Sequence, residues 1–181
     1  WRLRLANAFE RVSTGGSRAW YRETAIGVSP AIVDVGVIRP QPCYVDLYVL
    51  TRAGAAGPEL RAEVAAAFDT REALDIRFGD EVTVTALVAV GVAPRLVLRV
   101  RGAGADIAEK AVAAAAPIID DWSTRLGALV APSDVEAAVK RLPGVVDAEI
   151  SDLSFRALLA HEFLRAAPLV VEVLAVEAIA P

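Results

Sequence analysis

Val33-Asp34-Val35-Gly36-Val37, the break Pro40-Gln41-Pro42, and Cys43-Tyr44-Val45-Asp46-Leu47-Tyr48-Val49-Leu50-Thr51 form the stretch on which the fold turns. In the first run valines alternate with Asp34 and Gly36, and the second is dense in β-favouring residues, so the two predict a β-hairpin or two adjacent strands. The turn over residues 54–58 then places Pro58 at the first helical position, where its missing N–H costs nothing. Leu60, Val64, Ala67, Phe68 and Leu74 follow at intervals that approximate one helix face, which predicts a helix packed on the strands. Asp80 introduces Glu81-Val82-Thr83-Val84-Thr85-Ala86, the alternation of a half-buried strand. The reading is a β-β-α-β module over residues 31–87.

Towards the N-terminus, Leu3, Leu5, Ala6, Phe9 and Val12 are interleaved with Arg2, Arg4, Glu10 and Arg11, which predicts a short amphipathic helix. Ser13-Thr14-Gly15-Gly16-Ser17 breaks it. Ser17 can N-cap a second helix with Tyr21, Ala25 and Trp20 on its apolar side, ending near Gly27 and before Pro30. Residues 1–30 are thus an N-terminal helical segment.

Towards the C-terminus, an apolar stretch from Val88 passes Gly91 and Pro94 into Leu96-Val97-Leu98-Arg99-Val100 and stops at Gly102-Ala103-Gly104. Asp106 and Glu109 have capping-box spacing before a helix bearing Ile107, Ala111, Ala114, Ile118 and Trp122, which Pro117 is expected to kink or split. Ser133 and Glu136 repeat that spacing before a helix with Val135, Val139 and Leu142, halted at Pro143-Gly144. Residues 145–150 and 169–176 read as strands, giving a β-α-α-β-β module over residues 88–181. Residues 152–167, with Phe155, Leu158, Leu159, Phe163 and Leu164, read as a helix or an apolar loop. The fold class is α+β: two small α/β modules, each a mixed or antiparallel sheet covered by helices, preceded by the N-terminal helical segment.

Length allows two modules, each with its own small core. The 181 residues are 55% hydrophobic, but much of that is Ala and Val. The most apolar uncharged run, residues 111–119, contains Pro117 and falls far short of the roughly 20 residues a membrane span needs. A net charge of −4 supplies no concentrated positive field for nucleic acid. One cysteine, Cys43, cannot close an intramolecular disulfide, and no signal-peptide order is present, which fits folding in a reducing cytoplasm. The chain opens on Trp1 and holds no Met, so it is expected to be part of a longer product.

The inventory for chemistry is sparse: one His and one Cys. His161 sits in Ala160-His161-Glu162-Phe163 with nothing nearby to complete a triad, and reads as a structural or solvent-facing residue. Cys43, at the start of an expected strand, reads as a small buried hydrophobe with no basic cluster to lower its pKa. The two lie too far apart in sequence for a ligand-spaced metal cluster, and Asp120-Asp121 reads as a solvated helix face. Gly102-Ala103-Gly104-Ala105-Asp106 lacks the third glycine of a dinucleotide turn, because position 107 is Ile107. Gly15-Gly16-Ser17 lacks the Gly-Lys-Ser/Thr ending of a phosphate loop and reads as a turn plus N-cap. No catalytic residue, cofactor or metal site is expected, and the chain is read as not an enzyme.

The order of elements and several short strings resemble the baseplate J-like family of contractile phage tails and phage-derived particles. Glu10-Arg11-Val12-Ser13-Thr14-Gly15-Gly16-Ser17 with Tyr21 and Ala25 is similar to the family's charged helix, Gly-Ser turn and aromatic-containing helix. The strand runs of residues 33–37 and 43–51 and the segment 54–60 follow in family order. Ile76-Arg77-Phe78-Gly79-Asp80-Glu81-Val82-Thr83-Val84 is similar to the junction before the family's last domain, with Phe78 where Leu is frequent and without the usual Pro. Residues 133–149, a helix, Pro-Gly and a Val-rich strand, look like its closing segment. The resemblance, over about residues 1–178, corresponds to the C-terminal part of a family member.

What the resemblance implies is a structural wedge component joining the central hub of the tail to the outer baseplate. Its partners would be other wedge subunits and copies of itself, with no nucleic acid, membrane, cofactor or small-molecule substrate. It would reside in the baseplate of a virion or phage-like particle after synthesis and assembly in the bacterial cytoplasm. The expected partner contacts are Leu158, Leu159, Phe163 and Leu164 together with Trp1, Leu5 and Phe9. A rival reading is a small-ligand or nucleotide-binding regulatory α/β domain that receives an anion at the helix start after Gly102 to Asp106.

Overall fold

The computed structural model describes residues 16–77 and 79–176. The expected helix over residues 1–12, with the candidate contacts Trp1, Leu5 and Phe9, and the junction residue Phe78 lie outside the described residues. The chain forms two compact units: one takes in residues 1–88, 124–127 and 159–163, the other 89–123, 128–158 and 164–181. The chain is α+β, and each unit has its own hydrophobic core.

The first unit opens with α1 (Arg18–Val28), capped by Ser17, whose hydroxyl accepts from the Trp20 N–H at 3.2 Å. The strands β1 (Ile32–Ile38) and β2 (Tyr44–Thr51) pair antiparallel, with Val35 opposite Val49 and Val37 opposite Leu47. All four of these side chains are buried, so the alternation read from the sequence sets the register. A two-residue strand, β3 (Gly54–Ala55), turns back onto β2. After α2 (Pro58–Ala67) and α3 (Arg71–Arg77), β4 (Glu81–Thr85) returns parallel to β2, which makes the sheet mixed. Tyr21 and Ala25 of α1 and Val64 and Phe68 from the α2 region cover one face, over Val45, Leu47 and Val49. The rings of Trp20, Tyr21 and Phe68 meet with centroids 4.9 to 5.7 Å apart.

Two local expectations are corrected here. The single helix expected through Leu60 and Leu74 divides after Ala67, because the Thr70 hydroxyl accepts from the Ala73 N–H and starts α3 afresh, leaving Leu74 exposed. Cys43 is exposed and precedes β2 in the left-handed region, with φ 63°. Its carbonyl accepts from the Glu81 N–H at 2.7 Å, so a main-chain bond, not burial of the thiol, holds it.

In the second unit β6 (Arg95–Val100) is the central strand of a three-stranded sheet. It pairs antiparallel with β8 (Val145–Ser151) and parallel with β11 (Val170–Ala175). Leu96, Leu98 and Val100 face α4 (Ile107–Ser123) and α5 (Pro132–Lys140), which contribute Ile107, Ala111, Ala115, Trp122, Val135 and Val139 to the core. Shorter pieces complete the element order: β5 (Val88–Val92) pairs with β10 (Glu162–Ala166), and β7 (Leu129–Val130) with β9 (Arg156–Ala157).

Here too the structure corrects the reading. Pro117 does not split α4, which runs through it as one helix. The capping box at Ser133 does not form: α5 starts two residues earlier, with Ala131 as N-cap and Pro132 in the first turn, the position proline favours. Glu136 is thereby released, and its carboxylate accepts the N–H of Ile150 at 3.1 Å. Residues 152–167 are neither a helix nor a plain loop but contain β9, a turn and β10. Among the described residues no helix is long and apolar enough to cross a membrane.

Candidate interaction surfaces

The polar side chains that converge do so as structural clasps. Asp34 at β1 accepts from three donors: Arg22 Nη2 at 2.7 Å, the Val35 N–H at 2.8 Å and the Leu126 N–H at 2.8 Å. It thereby ties α1, β1 and the inserted segment 124–127 together. Asp80 takes the Tyr21 hydroxyl at 2.8 Å and Arg39 Nη2 at 3.0 Å, while the same Arg39 nitrogen donates to the Gly16 carbonyl. Burial, then the hydrogen bond to the Asp80 carboxylate, push the Tyr21 phenol above its ordinary range, so it stays neutral and donating.

The His161 imidazole lies against Tyr48, with ring centroids 5.6 Å apart, and its backbone carbonyl accepts from the Val88 N–H. Among the described residues no group of three or more His, Cys, Asp or Glu side chains is placed to hold a metal ion. At the start of α4 the Asp106 carboxylate pairs with Lys110 at 2.7 Å, which holds it below the usual carboxylate range. A Cβ on Gly104 would lie 2.8 Å from Asp106 Oδ1. The position where the rival reading puts an anion is therefore bordered by a carboxylate that is already paired with Lys110.

The apolar surface is more informative. Of the expected contact residues within the described chain, Leu158, Phe163 and Leu164 are buried in the cores and Leu159 is 55% exposed. Phe155, at 69%, is more exposed still. In the second unit Leu129, opposite Ala157 in the β7–β9 pair, and Val170, Val173 and Leu174 on β11 are also exposed. A groove of about 430 Å³ runs between α4 and the entry to β11, lined by Val112, Ala116, Ile119 and Leu169. β11 was legible as a strand, but not as a sheet edge.

Comparison with protein-family models returns one described as Baseplate J-like central domain over residues 13–90. Over those residues the chain is similar to a baseplate J-like central domain. The match bears out the resemblance read from the strings around Ser17, β1, β2 and the Asp80 junction. The matched segment coincides with α1 through β4, together with the start of β5. It supports a structural role in a phage baseplate, among other baseplate proteins. No curated protein matches the chain.

Proposed function

We propose that the chain is a wedge subunit of a contractile-tail baseplate that acts only through protein–protein contacts and has no catalytic role. The family match over residues 13–90 carries this reading. The clasps at Asp34 and Asp80 support it, since they spend the converging polar groups of the first unit on holding its own elements. Partners on this reading are other wedge subunits and copies of the chain, in the baseplate of a phage or phage-like particle, after assembly in the bacterial cytoplasm. The functional modules are residues 1–30, 31–87 and 88–181.

Of the proposed contacts within the described residues, Leu159 offers side-chain surface directly; Trp1, Leu5 and Phe9 are proposed from the sequence alone. Leu158, Phe163 and Leu164 hold their segment from beneath. Deleting the gene in its host and imaging the particles by electron microscopy tests the function. Tails without assembled baseplates, restored by supplying the gene in trans, are expected. Intact baseplates in the deletion strain would overturn the proposal.

A further inference from the structure

The three-stranded sheet of the second unit has two edges, and they are finished differently. On β8 the outward N–H of Ile150 is taken by the Glu136 carboxylate at 3.1 Å, and Asp147 and Glu149 place charge along the strand. Edge charge and a covered donor are features that keep a strand from pairing with another chain. β11, Val170-Val171-Glu172-Val173-Leu174-Ala175, has one charge and no such cover among the described residues.

Its orientation follows from two hydrogen bonds. The Val170 N–H donates to the Pro94 carbonyl and the Val176 N–H to the Val100 carbonyl, so the even-numbered residues turn their main-chain groups towards β6. In a parallel ladder the N–H and C=O of one residue point the same way, so those of Val171, Val173 and Ala175 point outward. The side chains of these three residues lie on the helix side, in register with the buried Leu96, Leu98 and Val100. Val173 is nevertheless 40% exposed, as is Val112 on α4, and the groove floored by Ala116, Ile119 and Leu169 lies on that side.

We propose that β11 is a strand acceptor that takes an extended segment of a partner protein into the sheet. The segment pairs its main chain with Val171, Val173 and Ala175 and lays apolar side chains, at alternate positions, towards Val112 and the groove. It sets a basic residue beside Glu172 on the other face. Outward N–H and C=O groups in register require an extended backbone as occupant. A second copy fits less well. An antiparallel β11–β11 register that pairs Val173 with its own copy brings the two Glu172 carboxylates onto one face a diagonal step apart, where like charges repel. Six residues of edge also supply much less than the roughly 800 Å² per partner of a standard interface, and the groove would stay unfilled. A separate strand fills the groove and answers Glu172 with a cation.

The test uses the full chain and a fluorescein-labelled heptapeptide, Val-Thr-Val-Lys-Val-Thr-Val, followed by anisotropy and by amide hydrogen exchange. Saturable binding with slowed exchange at Val171, Val173 and Ala175 is expected. Val173→Pro removes an outward N–H without costing a ladder bond. This variant, and a peptide N-methylated at alternate residues, should each bind about tenfold more weakly or worse. Val173→Lys, which keeps the backbone intact but charges the groove side, should weaken binding as well. Three results would overturn the proposal: absence of saturable binding, binding that N-methylation leaves unchanged, or dimerisation of the chain alone that Val173→Pro abolishes, which would make a second copy the occupant.

Discussion

Tyr21 and Gly36 show how single residues hold the first unit. Tyr21 is fully buried and donates its hydroxyl to Asp80, so folding favours the neutral phenol and raises its pKa above the ordinary value of about 10. A raised folded pKa contributes stability that is complete below the unfolded value and is lost as pH rises beyond it towards the folded value. Urea unfolding should therefore show the advantage of the native chain over Tyr21→Phe shrinking from pH 8 to pH 11; an advantage that does not change with pH would sink the assignment. Gly36 lies against the Ala160 carbonyl oxygen, with which an added Cβ would collide. Gly36→Ala should cost about 2 kcal/mol by overpacking against backbone. Gly27 is the control: it is exposed in α1 with nothing within 4 Å of a built Cβ, so Gly27→Ala should stabilise by about 0.5 kcal/mol. The same denaturant titration reads both signs.

Among the elements, α4 carries a proline in its interior and still runs from Ile107 to Ser123. Pro117 and Ala113, whose carbonyl loses its intrahelical donor, are both exposed, so water can satisfy that oxygen and the cost of the proline is held down. Pro117→Ala restores the bond but gives the unfolded chain more freedom; a net gain of about 1 kcal/mol is expected from thermal melts. A loss of stability would mean that the proline shapes the helix against the sheet. Elements whose signals are local were legible in the sequence: the β1–β2 pair from its alternation, and α1 from Ser17 and the spacing of Tyr21 and Ala25. Those decided by competition were not. Thr70 divides a helix that apolar spacing runs together, and Pro132 starts α5 ahead of the capping box that Ser133 and Glu136 spell out.

For the whole molecule the separate cores have a measurable consequence. Leu47 anchors one and Leu98 the other, both fully buried, so truncating either to Ala should cost about 2–5 kcal/mol. Amide exchange should quicken mainly among the amides of the core that was cut, since opening follows contiguous packed regions. Equal acceleration throughout after either change would show that the cores open as one. The sequence by itself determined the α+β class, the strand-helix-strand order of the first unit and the baseplate J-like likeness, because alternation, caps and turn residues act over a few positions. Only the tertiary structure decided that Leu158, Phe163 and Leu164 are buried while Leu159 is not, that Cys43 is exposed, and that β8 has a guarded edge where β11, among the described residues, has an open one. Burial and edge position depend on which distant segment arrives alongside, and a strand carries the same alternation at the centre of a sheet as at its rim.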